Sequence, residues 1–280
     1  MAHSVEISRK NPSCILFLID QSGSMSDPCG DEPERSKAAR LADAVNKLLF
    51  ELGMRCVVDT TEEVQYYYDV GVIGYGGRVG PALQGNLIGR DLAPIPEVAN
   101  NPARMEHRQR QVEDGTGGLV TETVHLPIWF DAVADNGTPM CAALGQARSI
   151  LEPWVNVHAD AFPPIVINIT DGEATDGDPR PPAETLRNLE TRDGNVLLFN
   201  AYLSSRPGAA ILYPDSESNL PDDFARQLFQ MSSLLPPHFQ EAARSEGYPV
   251  GAEARGFVFQ AEMVQVIKFL DIGTRPTALR

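Results

Sequence analysis

No apolar run in the 280 residues approaches the roughly eighteen needed to cross a bilayer, and Met1 to Pro12 lacks the apolar stretch of a secretory signal. Basic residues are scarce: 23 Lys and Arg stand against 38 Asp and Glu, a formal charge of −15. That deficit excludes general nucleic-acid binding, which wants a basic patch, and disfavours docking onto anionic lipid. Cysteine is sparse too. Cys14, Cys29, Cys56 and Cys141 form no C-x-x-C pair and have no His cluster at zinc-site spacing. A reducing compartment and an acidic, soluble, cytoplasmic protein are therefore expected. Cys14 and Cys141 read as small buried hydrophobes and Cys29 as a thiol in a polar loop.

What is present is enough apolar residue, 42%, to build a sizeable core. The clearest segments are continuous apolar runs, the pattern of strands covered on both faces. Residues 14–20 read CILFLID, 67–75 YYDVGVIGY, 165–171 IVINITD and 195–203 NVLLFNAYL, with a short fifth candidate at 256–260. Helical periodicity falls between them. Ala38, Leu41, Ala42, Val45, Leu48, Leu49 and Leu52 follow the i, i+3, i+4 rule, as do Ala142, Ala143, Ala147, Ile150, Leu151 and Trp154. Weaker helical patterns cover 182–189, 222–235 and 261–270. The alternation predicts an α/β fold with a Rossmann-like, doubly wound, mainly parallel central sheet and helices on both faces. Residues 119–129, LVTETVHLPIW, alternate as one antiparallel edge strand would. The Gly- and Pro-rich stretch 76–135 has no clear assignment, and 204–221 reads as a long loop.

In such sheets ligands bind beyond the carboxyl ends of the strands. Directly after the first strand stands Asp20-Gln21-Ser22-Gly23-Ser24, a D-x-S-x-S pattern. Asn136-Gly137-Thr138-Pro139 puts a threonine immediately before a helix, and Thr170-Asp171-Gly172 puts an Asp at the end of another buried strand. Alone, the first pattern reads equally well as a helix cap. Two carboxylates and three hydroxyls together make an all-oxygen donor set suited to Mg²⁺ or Mn²⁺ and unsuited to zinc.

These pieces, in this order and at these positions, resemble the metal-ion-dependent adhesion site (MIDAS) of von Willebrand factor type A (VWA) domains. The resemblance implies one VWA domain over 13–273, enlarged around its edge strand at 76–135, with terminal extensions at 1–12 and 274–280. It implies metal ligation by Asp20, Ser22, Ser24, Thr138 and Asp171, with Mg²⁺ as the ion and Mn²⁺ or Ca²⁺ as alternatives. A coordination position would be left for a partner protein's Asp or Glu carboxylate. Gln21, Met25, Asp27, Glu173, Asp176 and Asp178 would form the rim that the partner touches. Among VWA proteins the chain looks like the bacterial stand-alone TerY-like type, associated with stress response and working beside a kinase or phosphatase. In domains of that family ligation can move the C-terminal helix, and the resemblance puts the corresponding element near 261–270.

Other chemistries fit less well. An aspartyl-phosphate enzyme of haloacid dehalogenase type wants D-x-D, and Ser22 stands where its acid/base would be. A receiver domain using Asp20 as phosphoacceptor wants an acidic pair upstream, where Ser8-Arg9-Lys10 stands. No G-x-S-x-G nucleophile elbow or phosphate-binding loop is present. A calcium-loop reading of DGEATDGD fails because it puts Gly172 where a carboxylate is required. His3, His107, His125, His158 and His238 read as surface or structural residues, and 105–111 as a solvated basic island. A non-enzymatic, metal-dependent binding module is the expectation. A phospho-Asp protein, or a scaffold whose metal only staples loops, is the alternative. Windows 20–35, 131–140 and 171–180 hold eleven Asp or Glu against two Arg, −9 of the total −15. A partner carboxylate flanked by Lys and Arg suits such a face.

Overall fold

The computed structural model describes residues 3–29, 32–57, 63–113, 119–203 and 210–260. The helix expected at 261–270, the end of the expected domain and the C-terminal extension lie outside the described residues.

The apolar runs form the centre of an eight-stranded sheet. Its strands are β1 (Ser13–Asp20), β2 (Tyr68–Tyr75), β3 (Val79–Pro81) and β4 (Ala93–Pro94), then β7 (Ile165–Thr170), β8 (Leu197–Tyr202), β9 (Ile211–Leu212) and β10 (Phe257–Phe259). The spatial order is β9-β10-β8-β7-β1-β2-β3, with β4 also paired to β2. The five inner strands are mutually parallel, and β3, β4 and β9 add antiparallel edges. From β1 the chain moves to β2 on one side and later returns to β7 on the other. The strand order thus reverses at the carboxyl end of β1, where such sheets open a crevice for ligands.

Alternation along β1 divides the core. Ile15, Phe17 and Ile19 join a cluster with α1 (Lys37–Arg55), α2 (Ile95–Asn100) and α6 (Pro237–Ser245). Cys14, Leu16 and Leu18 join a cluster with α3 (Met140–Val157), α4 (Arg180–Arg187) and α5 (Asp223–Met231) on the other face. A parallel sheet needs both faces covered, and these helices cover them. Helix α1 starts where Ser36 caps it, its hydroxyl accepting from the Ala39 amide at 3.2 Å. Its Asn46 side chain donates to the Phe130 carbonyl and accepts from the Trp129 amide, tying the 129–130 segment to the core.

Residues 119–129 do not extend the sheet. Their strand, β6 (Leu119–Ile128), pairs with β5 (Arg104–Glu113) in a separate two-stranded ribbon, while short segments β3, β4 and β9 take the edges. The alternation was real but its inward face is small: Met105 and Val120 stay exposed, and among the described residues of this stretch the buried part is Pro127, Ile128, Trp129 and Phe130. Arg108 docks the ribbon onto α1 through two 2.7 Å bonds to Asp43. The basic island at 105–111 is thus part of this ribbon. Helix α6 had no clear signal in the sequence. Cys14 is fully buried as expected, whereas Cys141 is partly exposed.

One polar chain crosses the apolar interior between β2 and α5. Tyr75 donates to Asn168 at 2.7 Å, Asn168 to Asn200 at 2.9 Å, and Asn200 to the Ser232 hydroxyl at 2.9 Å; Ser232 donates to the Leu228 carbonyl at 2.8 Å. A buried polar group left without its partner costs about 1–3 kcal/mol. Asn168→Leu strands the Asn200 side-chain oxygen and leaves the Tyr75 hydroxyl only a 3.4 Å contact to the Ile169 carbonyl, so it should lower the unfolding free energy by about 1–3 kcal/mol in urea titrations. A loss under about 0.5 kcal/mol, the range of ordinary surface changes, would show the chain to be dispensable.

His238 packs edge-on to Phe162 and against Phe239, and burial, with His3 nearby, lowers its pKa from 6.5 to about 4. Its neutral form is favoured in the folded state, so the unfolded chain binds the extra proton. Stability from this site is therefore complete above about pH 6.5 and is lost as pH falls towards about 4. His238→Gln should lose less stability than the wild type between pH 7 and pH 5. Parallel pH profiles from the two proteins would show the histidine to be silent.

Candidate metal centre

Three loops meet at the switch point, and backbone hydrogen bonds staple them together. The Gly23 amide donates to the Asn136 carbonyl at 2.8 Å and the Asp135 amide to the Gln21 carbonyl at 2.6 Å. The Thr138 amide donates to the Thr175 hydroxyl, and the Thr175 amide returns to the Thr138 carbonyl, both at 2.9 Å. Gly76 lies under this junction: a Cβ there would come within 2.5 Å of the Gln21 carbonyl oxygen and 2.9 Å of the Asp135 carbonyl oxygen.

Asp20 ends β1 and is 1% exposed. One of its carboxylate oxygens accepts from the Ser22 amide at 2.8 Å, the other from the Thr170 hydroxyl at 2.6 Å. Burial raises its pKa above the ordinary carboxylate value, with these hydrogen bonds pulling the other way. Ser22 and Ser24 follow on the loop with their hydroxyls 3.1 Å apart, and Ser24 donates to Asp171 Oδ1 at 2.6 Å. Asp171 Oδ2 accepts from the Lys37 ammonium at 2.8 Å. Thr138, 4% exposed, stands opposite. A Cβ built on Gly172 would lie 3.7 Å from the Thr138 hydroxyl and 3.9 Å from that of Ser24, so both oxygens face one small space. Asp20, Ser22, Ser24 and Asp171 are thus linked by hydrogen bonds, and Thr138 borders the same glycine as Ser24, so the loops bring the five residues to one edge of the sheet.

The expected rim divides. Asp27, Glu173, Asp176 and Asp178 are exposed. Asp176 has a structural task as well: its carboxylate accepts from the Cys141 and Ala142 amides at 3.1 and 2.9 Å, capping α3, which has no side-chain cap of its own. The charge also suits that end of the helix dipole. Asp178 is held by Arg180, whose hydrogen bonds lower its pKa to about 2. Gln21 is half-buried against Gly74 and lines a cavity of about 480 Å³ with Arg78, Gln84, Val133 and Asp135. Met25 is a correction. It is 0% exposed and belongs to the core cluster of α1, because the turn Gly23–Ser26 directs its side chain inward. It cannot touch a partner.

Two contributors escaped the sequence reading. Thr170 stands one residue before the Asp that drew attention, and Lys37 lies just beyond the acidic window. A lysine in the first turn of a helix opposes the helix dipole, and that conflict was the available signal for a nearby anion.

Among the described residues, no group of three or more His, Cys, Asp or Glu is arranged to hold a metal ion. A metal here would rest on the hydroxyls of Ser22, Ser24 and Thr138 as much as on the carboxylates of Asp20 and Asp171. Such a set fits a hard divalent cation that keeps some of its water.

Fold and site together define a doubly wound α/β protein with an oxygen-donor cluster at its topological switch point. A solved structure of the manganese-loaded TRAP protein of Plasmodium vivax is similar at 14% identity and a TM-score of 0.46, covering 95% of this chain and 75% of that one. No protein-family model and no curated protein matches the chain.

The stapled geometry makes Gly76 sensitive. Gly76→Ala should force the Gln21 and Asp135 carbonyls apart and speed hydrogen exchange at the Gly23 and Asp135 amides by at least about tenfold, read by NMR. Unaltered exchange in a folded variant would mean that the loops are not held from below.

Proposed function

We propose that the chain is a non-enzymatic, Mg²⁺-dependent protein-binding module of the VWA and MIDAS kind. Asp20, Ser22, Ser24, Thr138 and Asp171 hold the ion, and Mn²⁺ or Ca²⁺ can replace it. The observation that carries the reading is the convergence of these five oxygen-bearing side chains on three interlocked loops. When bound, the ion supplies a Lewis-acidic position for an outside carboxylate. The protein's own groups orient the donors: the Ser22 amide and Thr170 hydroxyl fix Asp20, and Ser24 fixes Asp171.

Two features favour this reading over its alternatives. Asp20 is enclosed, with both oxygens occupied, which is poor placement for a nucleophile that must reach a phosphoryl group. The loops are already joined by backbone hydrogen bonds, so they do not need a metal as their staple.

The partner supplies an Asp or Glu carboxylate set among Lys and Arg, which complements exposed Asp27, Glu173, Asp176 and Asp178. The cellular setting consistent with this is a bacterial, cytoplasmic adaptor of TerY-like type in a stress-response system, acting beside a kinase or phosphatase. None of the helices among the described residues is long and apolar enough to cross a membrane.

A pull-down with Mg²⁺, repeated with chelator and with Asp20→Ala and Asp171→Ala, should retain a partner only when ion and both carboxylates are present. The association rate should fall as salt rises. Full-strength binding by a folded Asp20→Ala variant in chelator would sink the coordination model, and steady phosphatase turnover lost in Asp20→Asn would favour the phospho-Asp alternative.

A further inference from the structure

The Lys37 ammonium is an unusual companion for a metal site. The side chain is 4% exposed, and its nitrogen lies 2.8 Å from Asp171 Oδ2, whose own side chain is 0% exposed. The other oxygen of Asp171 is taken by Ser24. A fixed positive charge therefore already neutralises one of the cluster's two carboxylates. The exposed Asp27 carboxylate is 3.9 Å from the same nitrogen. Its backbone carbonyl accepts from the Lys37 amide at 2.9 Å, so the two residues are tethered whichever carboxylate the ammonium contacts.

Resting on the metal-binding reading above, we propose that Lys37 is the resident counter-cation of the cluster and sets the threshold for metal binding. A divalent ion and an ammonium a few ångströms apart repel strongly in a poorly hydrated site. The ion thus loads by displacing Lys37 from Asp171, and Asp27 receives the released ammonium. Metal binding becomes an exchange of one cation for another. The affinity is weaker than that of the same oxygen donors without the lysine, and the exchange leaves the loops intact because their staples are made by the backbone.

The test is Mn²⁺ binding, measured as free Mn²⁺ by electron paramagnetic resonance and confirmed by calorimetry, on the wild type, Lys37→Met and Lys37→Arg. Lys37→Met should bind Mn²⁺ at least about tenfold more tightly, equivalent to about 1.4 kcal/mol, whereas Lys37→Arg keeps the charge and stays near the wild type. Wild-type binding with equal or weaker affinity in folded Lys37→Met overturns the role of Lys37 and leaves the metal site standing. Failure of both proteins to bind Mn²⁺ overturns the metal site itself. If Lys37→Met does not fold, acylation of the wild type followed by peptide mass spectrometry decides the matter. Mg²⁺ should speed modification of Lys37, and an unchanged rate overturns the exchange.

Discussion

The carboxyl edge of the sheet depends on how the Asp20 carboxylate is buried. A carboxylate removed from water is tolerable only when its oxygens find donors, and here the donors come from two directions. The Ser22 amide bends the chain sharply after β1, and the Thr170 hydroxyl reaches across from β7. The first bond shapes the loop and the second ties that loop to the next strand. Ser22, Ser24 and Asp171 fall into position as a result, since each is within two residues of one of these contacts. The rest of the fold supplies the rigid edge on which this can happen: five parallel strands with a packed layer on either face.

Much of this was legible in the sequence. Strands buried on both faces are written as unbroken apolar runs, and β1, β2, β7 and β8 sit within a residue or two of where those runs place them. The motif residues were legible for a related reason. Polar groups that end apolar strands have few structural excuses, so Asp20 and Asp171 stood out. Strand β6 was misplaced because period-two alternation reports a half-buried strand without naming its neighbour, and β5 carried no such alternation. Met25 was misplaced because a short turn has no periodicity from which an inward direction can be read. Lys37 and Thr170 were passed over because their roles are pairings across more than a hundred residues.

The cluster is also economical in charge. Two carboxylates and one ammonium leave a net charge of about one negative unit among the buried groups, although the surrounding surface is strongly acidic. Exposed acids shape the long-range field and the approach of a charged partner. Buried ones decide what sits in the site. The separation explains how a chain of formal charge −15 can keep a compact, hydrogen-bonded site at an acidic edge.

The polar chain from Tyr75 through Asn168 and Asn200 to Ser232 has a consequence for strand alignment. Tyr75 is the register partner of Asp20, and Asn168 that of Leu18 on one side and of Asn200 on the other. Shifting β2, β7 or β8 by a single residue would turn its side chains to the opposite face, breaking a buried amide or hydroxyl contact in an otherwise interchangeable run of apolar residues. Apolar strands of this kind can slide with little loss of burial; an asparagine among them cannot. The chain acts as an index mark that levels β2, β7 and β8 against one another across β1. Their last residues, Asp20, Tyr75, Thr170 and Tyr202, thereby finish at heights from which the loops can meet.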